Sequence, residues 1–220
     1  MNTFTTSEAL SFGWKTTKEH FGYLLGLLVL MFVSTYVLGL FSDIRVLGFL
    51  ILVAGQTVLG IGFTRSIISL KRGQKLSYAV LFKTIKPFWR FLGATVLTML
   101  IVGVGLIILI IPGIIFAVTL MFVKYLAVDT EKPIIEVLTE SARITKGHRW
   151  QLLGFGLVVA VINVIGALLF GIGLLVTMPI THVAMAYVYD KLAAAPVVEE
   201  ATAVTPMEPK EEKSVVETSI

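Results

Sequence analysis

The sequence predicts an all-α membrane protein: six transmembrane helices in three pseudo-repeated units, each an amphipathic surface helix plus a transmembrane hairpin. Three observations lead there. The first is a set of long uncharged runs, Phe21–Ser42, Val46–Thr64, Phe91–Val123 and Trp150–Tyr189. The second is a stretch of mixed charge at helical spacing ahead of each hairpin. The third is a recurrence: shifted by 128 positions, the first such stretch falls on the third without a gap.

A bilayer core about 30 Å thick takes roughly 20 apolar residues at about 1.5 Å each. The first two runs are therefore single spans, and the last is long enough for two. The third run is interrupted by Pro112-Gly113, a turn signal, and holds one span and most of another. Composition agrees with this reading, with 56% hydrophobic residues, 15% charged residues and a mean hydropathy of +0.92, far from soluble averages. The first run is too long for a signal h-region and has no small-residue cleavage site, so it reads as a retained span. With no cysteine in the chain, neither a disulfide framework nor thiol chemistry has a basis.

In chain order, Thr5 and Glu8 have the spacing of a capping box, which starts a helix. On it Leu10, Gly13, Trp14, Thr17 and Phe21 share one face, and Glu8, Ser11, Lys15 and Lys18 the other, the pattern of a helix lying on a membrane surface. Spans one (Phe21–Phe41) and two (Val46–Leu70) follow, joined by a short turn. A basic segment carries Lys83, Lys86 and Arg90, with Tyr78, Leu81, Phe82, Ile85 and Trp89 at helical spacing, as a second surface helix ending near Pro87. Spans three (Phe91–Ile111) and four (Ile114–Val128) flank the Pro-Gly turn, and Lys124 lies one or two turns from the end of the latter. The third surface helix runs from Pro133 to about Arg149, with Ile134, Leu138, Ala142 and Thr145 as its apolar stripe and its acids early and its bases late, as the helix dipole favours. Spans five (Trp150–Phe170) and six (Ile172–Tyr189) complete a domain of residues 1–192, in units of about 5–70, 71–128 and 129–192. Residues 193–220 read as a disordered acidic cytoplasmic tail.

The repeat rests on paired positions. Glu8 meets Glu136, Leu10 meets Leu138, Lys15 meets Arg143, Lys18 meets Lys146, His20 meets His148, and Leu24-Leu25-Gly26 meets Leu152-Leu153-Gly154. The middle unit joins more faintly through Thr84, Leu92 and Gly93. Orientation follows from charge: seventeen of the eighteen Lys and Arg lie on one side and Arg45 alone on the other. The positive-inside rule then puts both termini in the cytoplasm and the chain in the cytoplasmic (inner) membrane as a multi-pass protein.

The formal charge of +4 is uneven, because residues 194–220 carry six Glu and two Lys and leave the membrane body at +8. Those cations sit beside spans, so the expected partners are anionic headgroups of the cytoplasmic leaflet rather than nucleic acid. The candidate headgroup contacts are Lys15, Lys18, His20, Lys83, Lys86, Arg90, Arg143, Lys146, His148, Arg149 and Trp150. Within the spans, Gln56 with Arg65 and Asn163 with His182 are the candidate polar sets, with interhelical hydrogen bonding as their simplest role. No nucleophile, carboxylate pair or metal-ligand spacing is present, so no catalytic residue and no cofactor is expected.

The run from Pro112 to Phe155 resembles a broad family of bacterial integral-membrane proteins. The matching features are Pro112-Gly113 at a span start, the acidic loop Asp129–Lys132, the Glu-x-Leu-x-x-Ser core of Glu136–Ser141, and Lys146–Trp150 leading into the next span. That family is similar to the membrane domain fused to some glycerophosphodiester phosphodiesterases, in which the chemistry belongs to a separate soluble domain. The resemblance implies the fold and no activity. The expected function is a non-enzymatic, lipid-interacting or membrane-organising scaffold. The alternative is a small transporter or lipid-translocating protein with a polar path through Gln56, Asn163 and His182. A protein partner or homo-oligomer cannot be read from the sequence.

Overall fold

The computed structural model describes residues 4–40, 45–74, 77–78, 86–169 and 171–194. Among them all regular structure is helical. In order the helices are α1 (Thr6–Glu19), α2 (Phe21–Gly39), α3 (Arg45–Lys71), α4 (Phe88–Ile108), α5 (Ile110–Thr119), α6 (Val123–Asp129), α7 (Ile134–Thr145), α8 (Arg149–Leu168) and α9 (Leu174–Ala193). Most of the expected second surface helix, Lys83 included, and nearly all of the acidic tail lie outside the described residues.

Five helical stretches are long and apolar enough to cross a membrane: Phe21–Gly39, Leu47–Lys71, Phe88–Ile108, Ile110–Asp129 and Arg149–Leu168. Helix α9, expected as the sixth, does not meet that measure. Thr177, Thr181, His182, Asp190 and Lys191 lower its apolarity, and it is enclosed by neighbours, with Val183, Ala184, Val188 and Tyr189 among its fully covered residues. A helix wrapped by protein has no need of the continuous apolar surface that lipid demands.

Helix starts follow local chemistry. Thr5 caps α1, its hydroxyl accepting from the Glu8 amide at 3.2 Å. The Glu8 carboxylate does not close the reciprocal half of a capping box but reaches Lys191 instead, at 2.8 Å. Three of the long apolar helices begin alike: His20, Pro87 and His148 precede α2, α4 and α8 with φ/ψ of −120/26, −84/15 and −114/9. Each of these residues then accepts a backbone bond from the amide four positions on, at Leu24, Phe91 and Leu152.

The turn expected at Pro112-Gly113 falls at Leu109, whose extended φ/ψ of −154/126 separates α4 from α5. Pro112 is the third residue of α5, where the missing N–H belongs to the unpaired first turn in any helix. Gly113 serves close packing. A Cβ there would stand 2.5 Å from the Leu106 backbone nitrogen, so the two arms of the hairpin approach at their tip.

The fourth apolar stretch is not continuous. Leu120–Phe122 leave the helical path between α5 and α6, which frees backbone groups in a segment where water is scarce. Helix α7 supplies the partner: Ser141 Oγ donates to the Thr119 carbonyl at 2.9 Å, and Thr145 Oγ1 donates to it at 3.3 Å. A buried carbonyl left unpaired costs about 1–3 kcal/mol, so α7 is held where it can cover the break. Its covered stripe is Val137, Leu138, Ser141, Ile144 and Thr145. The expected stripe of Ile134, Leu138, Ala142 and Thr145 is rotated from this, because the covered face includes the polar Ser141, which a search for apolar residues passes over.

Helix α1 likewise lays one face against the bundle. Ala9, Gly13, Thr16 and Thr17 are buried, and a Cβ on Gly13 would meet the Ile180 carbonyl of α9 at 2.5 Å. Phe12 stacks near Tyr187, with ring centroids 4.7 Å apart. Trp14, expected on the same apolar face, is half exposed. Small residues let two helices approach closely, whereas an indole beside them would hold them apart.

Burial is concentrated at one end. The core joins Leu24–Leu28 of α2, Ile61–Leu70 of α3, Phe91 and Ala94 of α4, α6, Leu152 and Phe155 of α8, and the second half of α9. Toward the opposite end, large apolar side chains such as Phe32, Tyr36, Leu40, Leu47, Phe49, Met99, Ile108, Ile111, Leu157, Leu168 and Ile172 face outward, with Ile107 86% exposed. That end suits lipid as its surroundings.

Candidate functional site: an intramembrane cavity beneath an arginine cluster

Between the packed end and the splayed end lies a cavity of about 810 Å³. Gln56 and Thr57 reach it from α3, Thr95 from α4, Lys124 and Tyr125 from α6, Asn163 from α8, and Thr181 and His182 from α9, with Met31, Met121, Met178 and Met185 among its apolar walls. Its volume falls within the roughly 300–1,000 Å³ typical of small-molecule sites. Three of the four intramembrane candidates therefore meet in one place. Arg65 does not line the cavity, and Gln56 donates to Thr35 Oγ1 of α2 at 3.0 Å rather than pairing with Arg65.

Helical rise orders the polar groups in depth. Counted from the charged end of its own helix, Lys124 lies roughly 8 Å in, His182 and Thr95 roughly 11–12 Å, and Gln56 and Asn163 roughly 21 Å. Asn163 Nδ2 donates across to Thr181 Oγ1 at 3.2 Å and to the Val159 carbonyl at 3.0 Å, an interhelical bond of the kind expected. Its Oδ1 has no partner among the described residues, and neither has the Thr95 hydroxyl. His182 Nδ1 lies 2.9 Å from the Met178 carbonyl. A carbonyl only accepts, so Nδ1 carries the proton and Nε2 of the neutral ring is left as an acceptor. Phe63 meets the same ring edge-on, with centroids 5.0 Å apart.

The charged end is closed by a cluster that sequence reasoning missed. Arg72, just past α3, donates to both oxygens of Asp129 at 2.7 and 2.8 Å and to both of Asp190 at 2.9 and 3.4 Å. Tyr189 adds a bond to Asp129 at 2.9 Å, and Lys71 pairs with Asp190 at 2.8 Å. The rigid guanidinium fork suits this double bidentate task. Asp129 foremost and Asp190 next hold its proton more firmly than usual. Arg65 adds a more distant electrostatic influence on Asp129. The ends of three helices are thus tied above the cavity. No local motif announces contacts between residues 57 and 118 positions apart; the only available signal was the paired charge at span ends.

The expected headgroup residues divide. Lys15, Lys86, Lys146 and Arg149 are exposed, Trp150 is 86% exposed, and Lys18 lies over the exposed Trp14 ring at 5.6 Å. Others are engaged within the protein. Arg90 Nε donates to the Ala127 carbonyl at the end of α6, at 2.9 Å. Arg143 donates to Glu140 at 3.1 Å. His20 Nδ1 faces the Thr16 carbonyl at 3.3 Å, and His148 Nδ1 faces Gln151 Oε1 at 3.4 Å. Among the described residues no group of His, Cys, Asp and Glu is arranged to hold a metal.

These features define a multi-pass helical membrane protein with an internal cavity. Residues 95–195 match a family described as a protein of unknown function, DUF975, to which the chain is similar over that part. The matched part includes Lys124, Asn163, His182, Asp129 and Asp190 and stops short of Gln56 and Arg72. No curated protein and no solved structure matches the chain, so the similarity to phosphodiesterase-fused membrane domains gains no named relative.

Proposed function

We propose that the protein is a small transporter or lipid-translocating protein that takes an amphiphilic molecule from the bilayer into the cavity between α2, α3, α4, α6, α8 and α9. The observation that carries this reading is the convergence of Gln56, Asn163 and His182, from three helices, on one space of about 810 Å³. A closed, side-chain-filled bundle would have favoured the scaffold. Polar groups in apolar surroundings are costly without a partner, and here unpaired Thr95 and Asn163 atoms are retained together. The cationic and aromatic surface of Lys15, Lys146, Arg149 and Trp150 supports a grip on anionic headgroups, which serves translocation as well as scaffolding.

In this reading α9 crosses the membrane inside the protein as the sixth span, both termini face the cytoplasm of a bacterial inner membrane, and three units surround the cavity. Support for the repeat comes from burial and geometry. A shift of 128 places the buried Ala9, Gly13, Thr16, Thr17, Leu24 and Leu27 on the buried Val137, Ser141, Ile144, Thr145, Leu152 and Phe155. The Gly13–Ile180 and Ser141–Thr119 approaches are then equivalent contacts, each joining a surface helix to the second arm of the preceding unit. Such units commonly enclose a site at their interface. No enzymatic step is part of the proposal.

The test is photo-crosslinking in nanodiscs, using a bilayer lipid analogue with a diazirine in its chain. Labelled peptides should contain Met121, Met178 or Met185, and Met185→Trp should empty the cavity of label while leaving surface labelling near Ile107 unchanged. Labelling confined to the outer surface in both proteins would defeat the reading.

A further inference from the structure

We propose that the cavity selects an anionic single-chain amphiphile, with its acidic head against Lys124 and its chain among the methionines. This rests on the amphiphile reading above and adds the charge of the ligand. Among the described residues, Lys124 is the only formally charged one of the cavity wall, which includes no Asp, Glu or Arg among them. Its ammonium has no ion pair among the described residues. Lys71, Arg72, Lys132, Arg143 and Lys191 each hold a carboxylate, and the other cations without an ion pair among the described residues, such as Lys15, Lys18, Lys86, Lys146 and Arg149, do not line the cavity. A cation on an apolar stretch is tolerated near the end of a span because its stem can reach toward water. Lys124 nonetheless faces a space also lined by Tyr125, Thr95 and His182.

The bilayer sharpens the argument. An acyl chain leaving lipid for an apolar cavity gains no hydrophobic free energy, since the surroundings it leaves are equally apolar. Chain contacts therefore give little discrimination, and the adaptable thioethers of Met31, Met121, Met178 and Met185 are suited to tolerating many chains. Selection must come from the head. Lys124 is exposed in the protein alone, and where lipid rather than water fills the space around it, an unpaired ammonium attracts an anion far more strongly than it does in water. A carboxylate or phosphate head answers that need, and a neutral or zwitterionic head does not.

The experiment uses the full chain in phosphatidylcholine nanodiscs at pH 8, where a fatty acid is ionised. Two probes share one diazirine-bearing sixteen-carbon chain and differ in head, one a carboxylic acid and the other its neutral glycerol monoester. Peptides bearing Met121, Met178 or Met185 should carry at least about tenfold more acid than ester. Lys124→Gln should abolish that preference without lowering ester labelling, which also reports that the cavity is still folded, and Lys124→Arg should retain it. Equal labelling of the cavity by both probes overturns the charge selection and leaves the amphiphile reading standing. Absence of both probes from the cavity overturns both readings, and more ester than acid overturns the charge selection.

Discussion

Replacing Arg72 by Gln should destabilise the charged end of the bundle by about 2–4 kcal/mol. Its guanidinium makes four hydrogen bonds to two carboxylates whose side chains are only 20% and 12% exposed. Hydrogen bonds to charged groups contribute about 1.5–3 kcal/mol each. The Arg72 side chain is itself 37% exposed, which screens the pairing, and Lys71 still holds Asp190 after the change. Both effects keep the loss well below the simple sum. The larger part is the repulsion left between Asp129 and Asp190, facing one another without their shared cation. Adding Asp129→Asn and Asp190→Asn to Arg72→Gln should therefore recover stability to within about 1 kcal/mol of the parent. Reversible denaturant titration of the micelle-solubilised protein, followed by far-ultraviolet circular dichroism, measures all three proteins. A loss under about 0.5 kcal/mol for Arg72→Gln, or a triple variant no more stable than the single one, would refute the reasoning.

Three further outcomes follow from the packing and the charges. Gly13→Val, whose first added carbon lands 2.5 Å from the Ile180 carbonyl, should cost about 1–3 kcal/mol as overpacking. Gly22→Ala, with nothing within 4 Å, should be close to neutral in the same titration. Ser141 is the nearer donor to the Thr119 carbonyl, because the single proton of Thr145 Oγ1 has the Ser141 carbonyl closer, at 2.9 Å. Ser141→Ala should therefore cost about 1–3 kcal/mol and Thr145→Val less, with their coupling readable in a double-mutant cycle. Lys191 and then Tyr187 hold the Glu8 carboxyl below the usual carboxylate range. A depressed folded value means that the α1–α9 contact is strengthened above the ordinary carboxylate pKa and loses that support as pH falls through the lowered one. The protection of α1 amides relative to their intrinsic exchange rates should be lower at about pH 3 than at pH 7, and Glu8→Gln should remove the part of that loss due to this contact.

Local signals carried much of the fold. The Thr5 cap, the starts of α2, α4 and α8, and the apolar spans were legible because caps and unbroken apolar runs act over a few residues. Pro112 misled because a proline stops a helix only in its interior, and here it sits in a first turn. The break at Leu120–Phe122 left no mark, since Leu, Met and Phe are ordinary helix residues and the departure depends on Ser141 and Thr145 reaching across from α7. That helix α9 is covered by protein was not legible, because its Val, Ala and Tyr residues look alike whether their neighbours are lipid or protein. Of the site, Gln56, Asn163 and His182 stood out as polar residues in apolar runs. Lys124 was read as a cost to be relieved by snorkelling, and nothing local placed it beside the other three.

A bundle gripped at one end and splayed at the other behaves like a tripod clamped at its head. Thinning or thickening of the bilayer should then be taken up where the legs stand apart, around Ile107 and Leu168, while the clamp of Arg72, Asp129 and Asp190 keeps its geometry. Spin-label distances across the splayed end should change between nanodiscs of short and long lipids, and distances across the clamp should not.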